Sequence, residues 1–504
     1  MAFEENNFYV ARKYELAKSD FTVECNVSAG VNVAKILSVS VDSCVESYEL
    51  LNGVINYSGV IDTKIIVMSD DGQLNTVCST CPFSSKFEGE ELQTGQTAHI
   101  HLKIMDYNVE SVSGDSIRLS VILQQSGFVS QNKEIKTIRC DDDNVCAKED
   151  EISVIKFIGS ASENIDVTSE INLRDKIKKL ILTESKTVVK NVEAGVNFVT
   201  ISGDVATRVL FLNENDKFEN GYVYDSFKEE IELENVTRES FVQGHAYVKQ
   251  DAVTTEIVED EKGGKIVIKV PIKLIVEAFQ EEKVSVIQDL YSVKNEINVT
   301  TESFEMTNIC TMEMVEGKIE GNLSLDEDKP RVDKILFYGG NHVAITNSYI
   351  KDGEVFVEGI AKTTVVYLND EDNSLYSAQI DVPFTLSEKT DWSGEGILTV
   401  DAIVCDVDVA VKKGRDLFYD AKVKACVNYC YNVNCGIISE ATNGEEYPER
   451  DYAMEVVFAG AGEQLWEIAK KTRVKQEQIT LQNPELTFPL VDDSSLILYY
   501  QKAN

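Results

Sequence analysis

Cys78-Ser-Thr-Cys81 has the two-residue gap that lets two thiolates reach one zinc ion. No second close Cys/His pair completes a tetrahedral set, so these read as structural thiols. Cys426, Cys430 and Cys435 crowd a second stretch. On a strand, Cys426 and Cys430 share a more polar face and with Cys435 would make a thiol cluster, unligated thiols being the plainer reading. In Thr97-Ala-His99-Ile-His101-Leu-Lys103-Ile both histidines face with Lys103, away from Ala98, Ile100, Leu102 and Ile104. Two metal ligands could sit there, but the expectation is an exposed polar strand face. Asp141-Asp-Asp-Asn144 lacks the alternate spacing and closing Glu of a calcium loop. No Gly-x4-Gly-Lys-Ser/Thr, Gly-x-Ser-x-Gly or His-Glu-x-x-His occurs, and Gly460-Ala-Gly462 lacks the third glycine of a dinucleotide loop. The expectation is a non-enzyme with no catalytic residue, no metal site and no cofactor.

The elements around these residues repeat. Lys35-Ile-Leu, Gly59 and Phe83 recur as Lys179-Leu-Ile, Gly203 and Phe227, and again as Lys334-Ile-Leu, Gly359 and Phe384. Lys-to-Gly and Gly-to-Phe spacings are both 24, 24 and 25 residues in the three copies, which indicates duplication of a whole domain. Each copy reads as antiparallel strands. Ile266, Ile268, Val270, Ile272, Leu274 and Val276 alternate with Lys265, Lys269 and Lys273, and Leu417, Tyr419, Ala421, Val423, Ala425 and Val427 repeat the pattern. Pro271 cannot donate to a ladder, so its strand is expected at an edge or with a bulge. The repeated glycine precedes a strand run, as a turn glycine or where a missing Cβ allows a bulge or close backbone approach. Charge-rich joins, read as solvated linkers, lie at 141–151 and 441–451, and a vaguer one near 284–299. The expected fold is mainly β: three tandem antiparallel domains over 1–145, 150–290 and 291–445, then a small α/β unit over 452–502.

The chain has 504 residues, with 48 basic and 86 acidic side chains and a formal charge of −38. Such acidity leaves no electrostatic footprint for nucleic acid or an anionic membrane. A hydrophobic share of 43% is enough for packed cores rather than a disordered acidic tail. An acidic N-terminus, no apolar run of the roughly 18 residues a span needs and eleven scattered cysteines suggest a cytosolic chain with reduced thiols and no membrane insertion. Residues 450–504 carry 6 basic and 8 acidic side chains, so nearly all the negative charge belongs to the β array.

From Met454 the pattern changes to strand, helix (464–472), helix (475–482) and strand (495–500). Leu465, Ile468 and Ala469 mark an apolar helix face, and Asn483-Pro484 stops the second helix. Gly462-x-x-Leu465-Trp466-x-Ile468-Ala469, then Val474, Ile479, Asn483-Pro484 and Leu496-x-Leu498, resemble a LysM domain. The resemblance implies a groove for N-acetylglucosamine-containing glycans, peptidoglycan among them. Carried onto this chain, it is formed by Gly462, Glu463, Gln464 and Leu465 on one side and Asn483, Pro484, Glu485 and Leu486 on the other. Glu463-Gln464 replaces the usual Asp-Thr and Asp492-Asp493-Ser494 the usual Pro-Gly, so a groove reused for a protein partner is an equal reading. Lys470, Lys471, Arg473 and Lys475 form a local basic strip expected to dock, and Tyr429/Tyr431 and Tyr499/Tyr500 are candidate anchors.

Three units with the Val-Leu-Phe-Leu-Asn-Glu (209–214) and Val-Val-Tyr-Leu-Asn-Asp (365–370) signatures, followed by one LysM-like unit, resemble the SPOCS-domain proteins of endospore-forming Firmicutes. Unit one departs with Met68-Ser69. The resemblance implies a scaffold in the mother-cell cytoplasm at the forespore surface. Its implied partners are the polymerising ATPase at the base of the spore coat and other coat proteins.

Overall fold

Long runs of β-branched and aromatic residues with few prolines favour extended chain, and the structure is almost entirely antiparallel sheet. The computed structural model describes residues 3–173, 176–260, 263–371, 374–392 and 396–500. The first strands are β1 (Phe3–Ser28), β2 (Val33–Leu51), β3 (Val54–Ser69), β4 (Leu74–Glu88), β5 (Thr97–Ser113) and β6 (Ser116–Cys140). They form a meander, β2-β3-β4, and a long sheet in the order β1-β6-β5. Next come β7 (Val145–Leu173), β8 (Ile177–Ala194), β9 (Phe198–Asn213), β10 (Phe218–Glu232), β11 (Phe241–Val248), β12 (Thr254–Asp260) and β13 (Gly263–Ser292). Here β8-β9-β10 is the meander, while β13 pairs with β7 on one edge and with β11 and β12 on the other. A third group, β14 (Asn295–Ser324), β15 (Val332–Lys351), β16 (Glu354–Asn369), β17 (Leu375–Lys389), β18 (Ile397–Lys413) and β19 (Asp416–Glu446), pairs as β15-β16-β17 and β14-β19-β18.

The register of the meanders accounts for the 24- and 25-residue spacings. Gly59, Gly203 and Gly359 stand directly opposite Phe83, Phe227 and Phe384. A Cβ on Gly203 would lie 2.4 Å from the Val188 carbonyl oxygen and 2.6 Å from Phe227 Cζ, and the other two sites are similarly closed. The ring lies over the bare backbone, a cross-strand device that pins register. The strand facing each glycine slips register just beyond it, after Val45, Val189 and Ile345. Further slips flank each repeated lysine, Lys35, Lys179 and Lys334. Bulges of this kind bend and twist a strand, so each meander curls over its long sheet.

Each meander packs on its own long sheet. Val23, Ile61, Ile65 and Leu119 are buried between the first pair of sheets; Val205, Val209, Ile268 and Leu274 between the second; Val357, Val365, Tyr419 and Val423 between the third. A second kind of core joins the three groups. Leu37, Ile66, Ile181, Leu210, Phe337 and Val366 bring the outer faces of the three meanders together. Phe8, Ile135, Val154, Val286, Phe304 and Ile437 do the same for the three long strand pairs. Lys35 hydrogen-bonds the Leu375 carbonyl and Lys179 the Leu74 carbonyl, 2.6 Å away in the second case, so in these two copies the repeated lysine reaches a neighbouring meander.

Two sequence expectations are corrected. The strand of Pro271 is central, not at an edge: β11 ends and β12 begins opposite Pro271, with a turn at Gln250–Ala252 between them, so its missing N–H interrupts no ladder. The charge-rich joins are not long linkers, because β7 begins at Val145 and β19 runs to Glu446, their charged residues lying on solvent-facing positions. The vague join narrows to Val293 and Lys294.

Gly203→Ala is expected to destabilise the chain by about 1–3 kcal/mol, since a backbone carbonyl cannot yield to the new methyl. Gly436→Ala, whose Cβ would meet nothing within 4 Å, should stay within about 0.5 kcal/mol. Urea unfolding of the two variants measures the contrast.

Candidate functional site

The C-terminal elements are β20 (Met454–Ala459), α1 (Leu465–Thr472), α2 (Gln476–Gln482) and β21 (Ser494–Tyr499), with β20 and β21 antiparallel. Ile468, Ala469, Ile479, Leu496 and Leu498 make the core. Gly462, at φ +88°, donates its N–H to the Leu490 carbonyl at 2.7 Å, and Leu490 returns a bond to the Glu463 carbonyl at 3.1 Å. Leu465 and Leu486 lean on the same core, so the two loops named from sequence lie side by side. Gln464, Pro484 and Glu485 are exposed. Asn483 is buried and saturated within the unit: its amide donates to the Ile479 and Ile497 carbonyls at 3.0 and 3.1 Å, and its oxygen accepts from Ile497 N–H at 2.8 Å. It ties α2 to β21 and leaves no polar atom for a ligand.

One side of this unit is docked on the end of β13. Trp466 Nε1–H and Lys470 Nζ donate to the two oxygens of Asp289 at 2.7 and 2.6 Å. Tyr291 donates to the Val474 carbonyl at 2.7 Å and meets Trp466 edge-on at 5.1 Å. The Arg473 guanidinium sits 3.6 Å over the Tyr447 ring. The basic strip is therefore not a free surface: Lys470 and Arg473 are engaged within the chain, while Lys471 stays exposed and Lys475 is half-buried at the start of α2. Asp289 lies 181 residues from Lys470, so no local signal marks their pairing.

The opposite side is open. Met454, Val456 and Phe458 on β20 pair across the strand with Tyr499, Ile497 and Ser495. Phe458 is 76% exposed and Tyr499 58%, with Val456 and Ile497 also exposed. Helix α2 adds Leu481, 81% exposed. Of the tyrosine anchors, Tyr499 presents its ring, whereas Tyr429 is buried and Tyr500 bonds Glu455 at 2.7 Å.

The histidine face is not exposed, contrary to expectation. His99 is buried against Phe128, stacked at 5.0 Å, and His101 is largely covered. Their strand is the edge of its long sheet, and edges β11 and β18 come against it, bringing His245 and Asp401. His245 Nδ1 lies 2.7 Å from Asp401 Oδ2, and His101 Nδ1 3.9 Å from Oδ1. Burial pushes the His99 imidazole well below its usual range, and His101 down to about 4. Burial alone would raise the Asp401 carboxyl, but the hydrogen bond to His245, together with the attraction of His245 and His101, outweighs it and the group is held low. Nearby, Lys13 donates to Gln243 at 2.9 Å and pairs with Glu277 at 3.3 Å, all three side chains buried. A cavity of about 580 Å³ opens onto His101, Tyr247, His342 and Asp401. The alternative of a thiol cluster is not met: Cys426, Cys430 and Cys435 belong to three different cores.

A family model described as SipL, SPOCS domain, matches residues 331–412, which span β15, β16, β17 and nearly all of β18. Those residues form a SPOCS domain. No curated protein and no solved structure matches the chain. The match points toward a role in sporulation and the spore coat. No helix among the described residues is long and apolar enough to cross a membrane.

Lys13→Met should cost about 3–5 kcal/mol by stranding the Glu277 carboxylate, and Lys13→Met with Glu277→Leu much less; urea unfolding of both compares them. The Lys470 and Trp466 bonds hold the Asp289 carboxyl low although burial opposes them. Its folded pKa lies below the unfolded value of about 3.9, so its contribution is complete above that value and lost as pH falls through the folded pKa. Amide exchange over 454–499 should accelerate across that acid window. Asp289→Asn should weaken protection at pH 7 and remove the acid step.

Proposed function

We propose that this SPOCS-domain protein is a non-catalytic scaffold or adaptor of spore coat assembly, held at the forespore surface in the mother-cell cytoplasm. The C-terminal unit, read as LysM-like over 452–502, docks to the coat's morphogenetic ATPase. Recurrence of one strand order and one set of bulges supports reading 1–145, 150–290 and 291–445 as three SPOCS-like domains. The observation that carries the docking is the open apolar face of β20 and β21. The unit is anchored by Trp466 and Tyr291 on one side, and among the described residues Phe458, Val456 and Tyr499 stay exposed on the other. Clustered exposed apolar side chains mark protein interaction sites, and aromatic residues supply much of such binding energy. The saturated Asn483 weighs against glycan recognition in the groove.

The test is capture of the purified coat ATPase by the intact chain, beside co-sedimentation with purified peptidoglycan. Wild type should capture the ATPase. Phe458→Asp with Tyr499→Asp should weaken capture at least about tenfold, as loss of an interface hot spot does, while Glu485→Ala leaves it unchanged. Capture insensitive to the double change would move the contact into the β domains. Sedimentation with peptidoglycan, lost in Glu485→Ala, would establish the glycan reading instead.

A further inference from the structure

The sequence has four histidines, and three of them meet. One ring nitrogen each of His99, His101 and His245 lies within 4.8 Å of the others. Ring centroids are 4.5 Å apart for His99 and His101, 4.1 Å for His99 and His245, and 5.2 Å for His101 and His245. His101 Nε2 and His245 Nε2 are buried and have no hydrogen-bond partner among the described residues. An unsatisfied buried polar atom costs about 1–3 kcal/mol, so two side by side call for a ligand. The carboxylate of Asp401 faces the Nδ1 atoms of the same two rings. With Nδ1–H of His245 donating to it, the proton is held on the far nitrogen and the Nε2 lone pair is left bare. A carboxylate behind an imidazole is the usual outer support of a metal-ligating histidine.

We infer that His99, His101 and His245 bind one divalent transition-metal ion of the Zn²⁺ class, with Asp401 as the positioning carboxylate. Three imidazoles suit Zn²⁺ and its neighbours rather than Ca²⁺ or Mg²⁺, which take oxygen ligands. Tetrahedral Zn–N bonds of 2.0–2.1 Å set ligand nitrogens about 3.4 Å apart, so the widest pair closes by little more than 1 Å. The adjoining cavity of about 580 Å³ gives ions a path to His101 and Asp401 and room for a water as fourth ligand. Lys13, the nearby cation, is compensated by Glu277. Because the ligands stand on β5 and β11 and their support on β18, the ion clamps the three long sheets where their edges meet.

The test uses the full-length chain, stripped with chelator and titrated with Zn²⁺ and Co²⁺. Expected are one bound Zn²⁺ per chain after gel filtration, a rise in Tm, and a Co²⁺ spectrum of low coordination number without thiolate charge transfer. Cys78→Ser with Cys81→Ser should change none of these. His245→Gln and His99→Gln should abolish stoichiometric binding, and Asp401→Asn should weaken it about 10–100-fold. Two wild-type readouts stand even if a variant fails to fold. Absence of stoichiometric Zn²⁺, or thiolate charge transfer in the Co²⁺ spectrum, overturns the site. So does binding unchanged in a folded His245→Gln protein.

Discussion

A β-sheet covered on one face leaves the other face to water, and in this chain neither face of the meanders tolerates that. Ile65-Ile66-Val67, Val209-Leu210-Phe211 and Val365-Val366-Tyr367 are continuous apolar runs. Their outer residues face the long sheet of their own domain, and the middle residue points the other way. Burying that middle residue requires the meanders of the other two domains. Adjacent apolar residues on a two-sided strand thus commit three sandwiches to pack around one line, and the remaining inter-domain contacts follow from that closure.

Closure brings polar groups inside as well. The edge strands of the long sheets carry main-chain groups that water would otherwise satisfy, and at the meeting point side chains take over. Lys13 bonds Gln243 and Glu277 while its backbone N–H donates to Thr307, so one residue touches all three strand groups. Arg208 pairs with Glu184 at 3.4 Å and reaches the Tyr338 carbonyl of the third group. Buried ion pairs contribute little net stability against an apolar alternative, but breaking one is costly. A slid or rotated arrangement of the three strand groups would break these pairs.

The C-terminal unit follows different economics. Its core is small, near the size at which a domain needs external support, and Tyr291 and Asp289 supply it. Docking engages Lys470 and Arg473 and leaves the apolar side of a two-stranded sheet outward. A highly charged array thus carries one apolar face at its end.

The antiparallel strands, the inward faces of β13 and β19 and the order of the C-terminal elements were legible in the sequence. Period-2 alternation, glycine spacing and the proline after α2 are local signals, and local chain geometry fixes what they mean. The second buried face was also written there, in the unbroken apolar triplets, though periodicity alone does not distinguish it. What no local signal carries is which edges meet. His99 and His101 alternate with apolar residues as an exposed face would, and their burial depends on β11 and β18, which lie about 140 and 300 residues away. Lys470 likewise reads as a free cation until Asp289 is beside it. Whether a polar side chain is solvated, paired or poised for a ligand depends on its neighbours in space, and only tertiary packing supplied those.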